Sequence, residues 1–326
     1  MRLAILGAGA WGTALALAFA PRHAVVLWSW LADHADAMSG RRENEEFLPG
    51  YPIPDAVAIT ADGATAVAGA DLAIVATPVA GMRGALELIA RRSPALPFLW
   101  VCKGLESGTG LLPHQIAAAA GSTAPRGALT GPSFADEVAR GLPTAVTLAS
   151  TDSDFARATA QALNTPRLRI YAGDDPVGAE VGGAVKNVLA IAAGISDGLG
   201  LGLNARAALI TRGLAEITRF GVALGAKQQT FMGLAGLGDL ILTCTGDLSR
   251  NRRVGLALAA GQTAQAIQRD LGHVAEGVFT AREVARRARG LNVEMPITEA
   301  VCAVLDGRLA AAEAVNQLMA RDPRSE

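Results

Sequence analysis

The feature that most restricts the fold lies at the start of the chain. Arg2-Leu3-Ala4-Ile5-Leu6 reads as a short buried strand, Gly7-Ala8-Gly9-Ala10-Trp11-Gly12 follows without a spacer, and an apolar helical segment runs on from Thr13 to Ala20. A bare GxGxxG is a weak signal, but between a strand and a helix each glycine has a distinct role. Gly7 permits the tight turn, Gly9 lets backbone approach a diphosphate, and Gly12 lets helix and strand pack closely. The N–H groups that open the helix then face an anion. The segment therefore predicts the first βα unit of a doubly wound sheet that grips a dinucleotide pyrophosphate. Arg2 and the run ending in Ala18-Phe19-Ala20-Pro21 also mimic a secretory leader with its cleavage site, yet three glycines interrupt that run.

The next marker in such a fold is an acid at the end of the second strand, which binds the adenosine ribose. Here Val25-Val26-Leu27-Trp28 runs into Ser29-Trp30, neither acidic nor basic, so the choice between NAD and NADP stays open. Asp33 lies a little later and reads better as a solvated residue in the first helical turn.

Short apolar strands continue to alternate with helices over the first half, the pattern of a mostly parallel sheet with helices on both faces. Strands are expected at 3–6, 24–27, 56–59, 72–75, 98–101, 127–130, 145–148 and 168–171, with helices at 10–20, 31–42, 80–91 and 154–163. The stretch from Asn44 to Pro54, with three prolines after Leu48 and a glycine, reads as an extended surface loop. Beyond about Asp174 the strand signals stop and helical patterns take over. The chain of 326 residues is also too long for one ordinary core. The expectation is α/β: a Rossmann-type domain over 1–174 and an all-helical substrate domain over 175–326. In the latter, Asn204 reads as the N-cap of a helix through Leu224 closed by Gly225, with Arg212 and Glu216 on its polar side. Further amphipathic helices are expected at 276–289 and 298–306.

Composition excludes several classes. A formal net charge of −1 offers no general field for nucleic acid or an anionic membrane. Helix breakers interrupt the apolar stretches, so no membrane span is expected. Cys102, Cys244 and Cys302 are widely spaced and odd in number, which fits reduced thiols in the cytoplasm. The four histidines show no ligand spacing, so no metal site is expected.

Several segments together resemble the bacterial NAD(P)-dependent glycerol-3-phosphate dehydrogenase family: Gly7 to Ala16, Cys102-Lys-Gly-Leu-Glu106, Gly131-Pro-Ser-Phe-Ala135, Ala184-Val-Lys-Asn-Val188, Gly236-Leu-Gly-Asp-Leu240, Ser249-Arg-Asn-Arg-Arg-Val-Gly255 and Glu276-Gly-Val278. They follow the family's order over nearly the whole chain. The resemblance implies reversible hydride transfer between NAD(P)H and dihydroxyacetone phosphate, giving sn-glycerol 3-phosphate for glycerophospholipid synthesis.

Interconverting a ketone and an alcohol needs a positioned acid/base beside the dinucleotide. Lys186 suits that role. It sits in the apolar run from Val181 to Ala190, where burial pulls an ammonium pKa down, and Gly182, Gly183 and Ala184 leave room for a close partner. The resemblance makes Lys186 the proton donor in reduction and Asp239 a substrate-contacting acid. Beside Lys186, Asp239 would orient the ammonium and oppose the effect of burial, so the net shift is open. Asp239 could otherwise cap a helix beginning at Leu240.

Ser249 to Arg253 gathers guanidinium, hydroxyl and amide donors suited to a phosphate, although a solvated basic loop would look the same. The resemblance selects Ser249, Arg250 and Asn251 as substrate ligands, with Arg250 also near the cofactor. Lys103, Gly131 and Ser133 follow strands, at the carboxyl edge where ligands bind such sheets. The resemblance makes them substrate contacts, with Lys103 touching the cofactor too. Cofactor contacts are expected at Gly7, Gly9, Ala10, Trp11, Gly12, Trp30, Ala135, Val274 and Glu276. Two departures matter. Ala10 stands where the family commonly has serine, and Trp30 where it often has an arginine that neutralises a 2′-phosphate; Trp30 can still stack on adenine.

Two other readings keep part of this. A related Rossmann plus helical-domain reductase would act on a 3-hydroxy acid or sugar acid. A sensor would bind NAD(P) without chemistry, and would have no need of Lys186 with Asp239. The apolar helices of the second domain also suggest a homodimer.

Overall fold

The structure, a computed structural model, describes residues 1–270 and 276–321. By contacts the chain forms two units, Met1–Lys103 with Leu111–Ala179, and Gly104–Gly110 with Glu180–Glu326. The division thus falls inside the helix Pro176–Gly198 rather than at Asp174, where the strand signals end.

The first unit is an α/β sandwich. Its strands are β1 (Arg2–Leu6), β2 (Ala24–Trp28), β3 (Glu43–Asn44), β4 (Leu48–Pro52), β5 (Val57–Thr60), β6 (Leu72–Val75), β7 (Phe98–Trp100), β8 (Arg126–Thr130), β9 (Thr144–Ala149) and β10 (Leu168–Gly173). Its helices are α1 (Ala10–Phe19), α2 (Ala32–Arg41), α3 (Gly63–Val67), α4 (Val79–Arg92), α5 (Pro113–Ala119), α6 (Ala135–Ala139) and α7 (Ser153–Leu163). Eight strands form one sheet in the order β10-β9-β8-β7-β6-β1-β2-β5. Every ladder in it is parallel except β8 with β9. Because helices cover both faces, the central strands are apolar without alternation: Leu3, Ile5, Leu27 and Ile74 are all fully buried. Strand order reverses between β1 and β6, so the loop after β1 lies at the switch point where such sheets bind ligands.

One expected loop is ordered differently. Residues 43–52 form the antiparallel hairpin β3–β4, not an extended surface loop, and both Asn44 and Leu48 are buried. The prolines and glycine mask the pairing in sequence. Arg42, at φ 53°, turns the chain into the hairpin and donates to the carbonyls of Ile53, Pro54 and Val57.

The second unit is helical among its described residues: α8 (Pro176–Gly198, which begins in the first unit), α9 (Gly202–Ala223), a 3₁₀ turn Gln228–Met232, a π turn Leu234–Gly238, α10 (Asp239–Thr245), α11 (Arg250–Ala259), α12 (Ala264–Asp270), α13 (Glu276–Gly290), α14 (Pro296–Leu305) and α15 (Ala311–Met319). α8 is long and apolar enough to cross a membrane by composition, but its apolar stretch is buried, as in a core helix. Residues 104–110 join this unit through Gly108 N–H, which donates to Glu283, and Gly110 O, which accepts from Arg287.

Two local expectations for α9 are corrected. Asn204 is not its N-cap, because the helix already begins at Gly202 with Leu201 in the capping position. Glu216 does not line a polar face either. It is 1% exposed, and its carboxylate accepts the N–H groups of Ile297 and Thr298 and the Thr298 hydroxyl, closing the open N-terminus of α14. A carboxylate in a helical periodicity looks solvated until a second helix end is brought onto it.

Candidate active site

The first constellation is built from backbone. Gly7 sits at φ +123°, and a Cβ there would stand 2.6 Å from the Ala76 carbonyl carbon. A Cβ on Gly12 would collide with the Gly7 carbonyl oxygen, so strand, turn and helix approach only as glycine allows. No atom lies within 4 Å of a Cβ built on Gly9. The first helical bond of α1 runs from Thr13 N–H to Gly9 O, which leaves the N–H groups of Ala10, Trp11 and Gly12 ahead of the ladder. No acid occupies that first turn. This open, donor-rich cradle fits a dinucleotide pyrophosphate. Ala10, Trp11 and Ala135 pack together over Ala14, Leu48 and Val138, which ties α6 to the start of α1. Trp30 follows β2 and is 73% exposed, its indole open for stacking, while Asp33 is solvent-exposed in the first turn of α2.

Along the same sheet edge, Lys103, Gly131 and Ser133 come together. Lys103 Nζ donates to Gly131 O at 3.3 Å, and Ser133 Oγ donates to the same oxygen at 3.1 Å. Gly131 stands at φ +147° with its would-be Cβ against Val146 Cα, so a side chain there is excluded. Sequence reasoning passed over Thr77 and Thr130, whose hydroxyl oxygens are buried without a hydrogen-bond partner just beyond β6 and at the end of β8. The usable signal was their position, a threonine at the carboxyl edge of a parallel strand.

The second constellation is built from side chains. Lys186 lies midway along α8, 7% exposed, and its ammonium pairs with Oδ1 of Asp239, which is fully buried. Asp239 is the first residue of α10, one past the capping position held by Gly238, and its carboxylate is turned to the Lys186 ammonium. The close approach expected at Gly182 is present: a Cβ there would strike the Ala235 carbonyl oxygen, so the π turn that delivers Asp239 packs directly on α8. Thr243, one turn on, donates to Asp239 O at 2.6 Å and lies 3.5 Å from Oδ1. Nearby, burial pushes the Cys244 thiol up to about 12, which keeps it protonated and unreactive.

The basic segment divides by role. Ser249 caps α11, its hydroxyl accepting Arg252 N–H at 3.2 Å. Arg252 is consumed structurally: its guanidinium bonds Asp197 Oδ2 at 2.7 and 2.8 Å and Asp247 at 3.0 Å. Nothing in the sequence singles out Asp197, which lies 55 residues away. Arg250 is exposed at the head of α11. Asn251 Oδ1 accepts Gly277 N–H at 3.1 Å, which fixes the start of α13 and with it Glu276. A Cβ on Gly277 would sit 2.6 Å from that oxygen and 2.8 Å from Asn187 O, so α8, α11 and α13 converge one residue from Lys186. Val274 lies outside the described residues. The arrangement offers a buried, oriented proton donor, with an exposed guanidinium and amide and hydroxyl donors on a neighbouring helix.

Comparison with known proteins gives a consistent result. Residues 2–156 match the family profile described as NAD-dependent glycerol-3-phosphate dehydrogenase N-terminus, and residues 175–316 match the corresponding C-terminus profile. The chain is 64% identical to glycerol-3-phosphate dehydrogenase [NAD(P)+] of Dechloromonas aromatica, over all of this chain and 99% of that one. It is 62% identical to the protein of the same name from Aromatoleum aromaticum, with both chains fully covered. Among solved structures, glycerol-3-phosphate dehydrogenase from Coxiella burnetii superposes with a TM-score of 0.94 at 43% identity, covering 98% of this chain and 99% of that one.

Proposed function

We infer the activity from a kinship and a geometry that agree: the chain belongs to the NAD-dependent glycerol-3-phosphate dehydrogenase family. It is an NAD(P)-dependent oxidoreductase that interconverts dihydroxyacetone phosphate and sn-glycerol 3-phosphate. When bound, the dinucleotide supplies the hydride that reduces the carbonyl carbon.

The observation that carries the mechanism is the buried pairing of Lys186 with Asp239. In this reading both are catalytic. Lys186 Nζ gives a proton to the carbonyl oxygen as electron density grows there, and takes it back from the alcohol in the reverse direction. Asp239, held on α10, aims the ammonium so that little motion is needed at the moment of transfer. Ser249, Arg250 and Asn251 bind the substrate phosphate: the Ser249 oxygen accepts from Arg252 N–H, and a hydroxyl that accepts keeps its own proton to donate. Lys103, Gly131 and Ser133 are further substrate contacts.

Gly7, Gly9, Ala10, Trp11 and Gly12 hold the pyrophosphate, Trp30 stacks on adenine, and Lys103, Ala135, Arg250, Val274 and Glu276 complete the cofactor contacts. With neither acid nor base at position 30, both NADH and NADPH are expected to serve. Residues 1–174 act as the dinucleotide-binding domain and 175–326 as the substrate domain. A cytoplasmic homodimer feeding glycerophospholipid synthesis completes the proposal, supported by the exposed apolar residues Leu201, Leu203 and Val222 around α9. The test is to mix purified protein with dihydroxyacetone phosphate and either reduced dinucleotide, and to follow nicotinamide absorbance. Substrate-dependent oxidation is expected, and no turnover with either would overturn the reading.

A further inference from the structure

A chain of buried hydrogen bonds links the glycine loop to the segment that carries Trp30. Asn44, fully buried at the end of β3, donates through Nδ2 to Ala8 O at 2.8 Å and to Thr13 Oγ1 at 2.7 Å. Its Oδ1 accepts Phe47 N–H at 3.2 Å and faces His34 Nε2 at 3.1 Å. On the far side of the imidazole, Nδ1 lies 3.0 Å from Ser29 Oγ, which also accepts Leu31 N–H at 3.3 Å.

Donor and acceptor chemistry gives this chain one polarity. Ala8 O can only accept and Phe47 N–H can only donate, so the amide has one orientation. Oδ1 can only accept, so His34 carries its proton on Nε2. In the neutral ring Nδ1 must then accept, so Ser29 Oγ–H donates to it and leaves a lone pair for Leu31 N–H. Every hydrogen-bonding position of the Asn44 amide is used, and the Ser29 hydroxyl is fixed between the imidazole and Leu31 N–H. Phe47 packs edge-on against the His34 ring at 5.2 Å between centroids, which fixes the ring plane as well.

The ends of the chain lie where two parts of a dinucleotide would lie. Ala8 and Thr13 belong to the loop and helix start of the pyrophosphate cradle, while Ser29 and Leu31 bracket Trp30 at the adenosine end. We propose that Asn44 and His34 are positioning residues of the dinucleotide site, holding the pyrophosphate loop and the Trp30 segment in a single register. The inference rests on the reading that Gly7–Gly12 and Trp30 bind the cofactor. It explains the β3–β4 hairpin, which brings an amide from outside the βαβ unit into the core beneath the loop. Neither residue is assigned a contact with the ligand itself. Their effect passes through the backbone at Ala8 and at Ser29–Leu31.

The test uses His34→Phe, which keeps an aromatic ring against Phe47 and removes both hydrogen bonds, together with Asn44→Ala and His34→Gln. NADH binding to the unmodified protein is measured first by nicotinamide fluorescence; its absence would remove the cofactor reading and this inference with it. The expected result is a KM for NADH raised by at least about tenfold in His34→Phe and Asn44→Ala, with kcat at saturating NADH and KM for dihydroxyacetone phosphate within about twofold. His34→Gln, which restores one donor, should recover part of the loss. A folded His34→Phe whose KM for NADH matches the unmodified protein, whatever its melting temperature, would overturn the inference and leave the cofactor reading standing. Should Asn44→Ala fail to fold, His34→Phe decides alone.

Discussion

Both units bury neutral polar side chains, Asn187, Ser196, Thr243, Ser249, Thr280 and Thr298 among them in the second, but they differ in the charged groups they bury. In the first, Thr13, Ser29, Asn44, Thr130, Thr144, Ser150 and Thr159 are buried and neutral, with Asp175 at the foot of α8 the one acid among them. In the second, Glu180, Lys186, Glu216 and Asp239 are all buried. A neutral group is settled by one or two hydrogen bonds, whereas a buried charge stays only where an opposite charge or several donors meet it. In the proposed reading the first unit presents an anion site made of backbone, with neutral side chains beneath it. In the same reading the helical unit holds the charges through which a proton moves. Sensitivity to charge and to pH should therefore concentrate in the second unit.

The largest expected effect follows from the ion pair. Asp239→Leu removes the carboxylate paired with the buried Lys186 ammonium and should cost about 3–5 kcal/mol of stability, with turnover down at least about a hundredfold. The double variant Lys186→Met with Asp239→Leu removes both charges, and its melting temperature should recover most of that loss while activity does not return. Activity regained in the double variant would break the contrast.

Next comes Glu216, whose carboxyl burial pushes up to about 7 from an ordinary 4.5, against the N–H groups of Ile297 and Thr298. Between those values the folded chain keeps a proton that the unfolded chain has released. The contribution is therefore fully present below pH 4.5 and lost as pH rises through 7, a change of about 3 kcal/mol. Glu216→Gln should flatten the fall in stability across that window in denaturant titrations, and an unchanged slope would remove Glu216 as its source.

Smaller effects sharpen the comparison at the ligand. Arg250→Ala should raise KM for dihydroxyacetone phosphate about tenfold to a hundredfold, the worth of one hydrogen bond to a charged group. An unchanged KM would take the phosphate contact away from the second unit's basic helix. Smallest is Trp30→Arg, at an exposed position, which should favour NADPH over NADH by no more than a few-fold; a constant ratio of the two KM values would count against Trp30 as the adenosine-end contact.

The same contrast decides what was legible in the sequence. The glycine loop could be read directly, because its steric demands fall on neighbours within six positions and on one adjoining strand. The parallel strands were legible too, since burial on both faces writes them as apolar runs. Lys186 stood out as a cation in an apolar helix. Its partner did not, because Asp239 arrives from 53 residues away on a π turn that sequence periodicity does not show. Only the resemblance to a family supplied it. Glu216 and Asn44 were misplaced for one reason: each looks solvated in its own segment and is satisfied by backbone from another. Arg252 looked like part of a phosphate site until Asp197 was found against it.

The central claim is a division of labour, with backbone at Gly7–Gly12 binding the dinucleotide and Lys186 moving the proton. It is tested most directly by measuring NADH affinity and turnover of dihydroxyacetone phosphate side by side in Gly12→Ala and Lys186→Met. The account predicts that Gly12→Ala weakens NADH binding by more than about tenfold, while Lys186→Met keeps it within about twofold and loses at least about a hundredfold in kcat. A Lys186→Met variant that retains turnover, or that loses NADH binding as severely as Gly12→Ala, would contradict it.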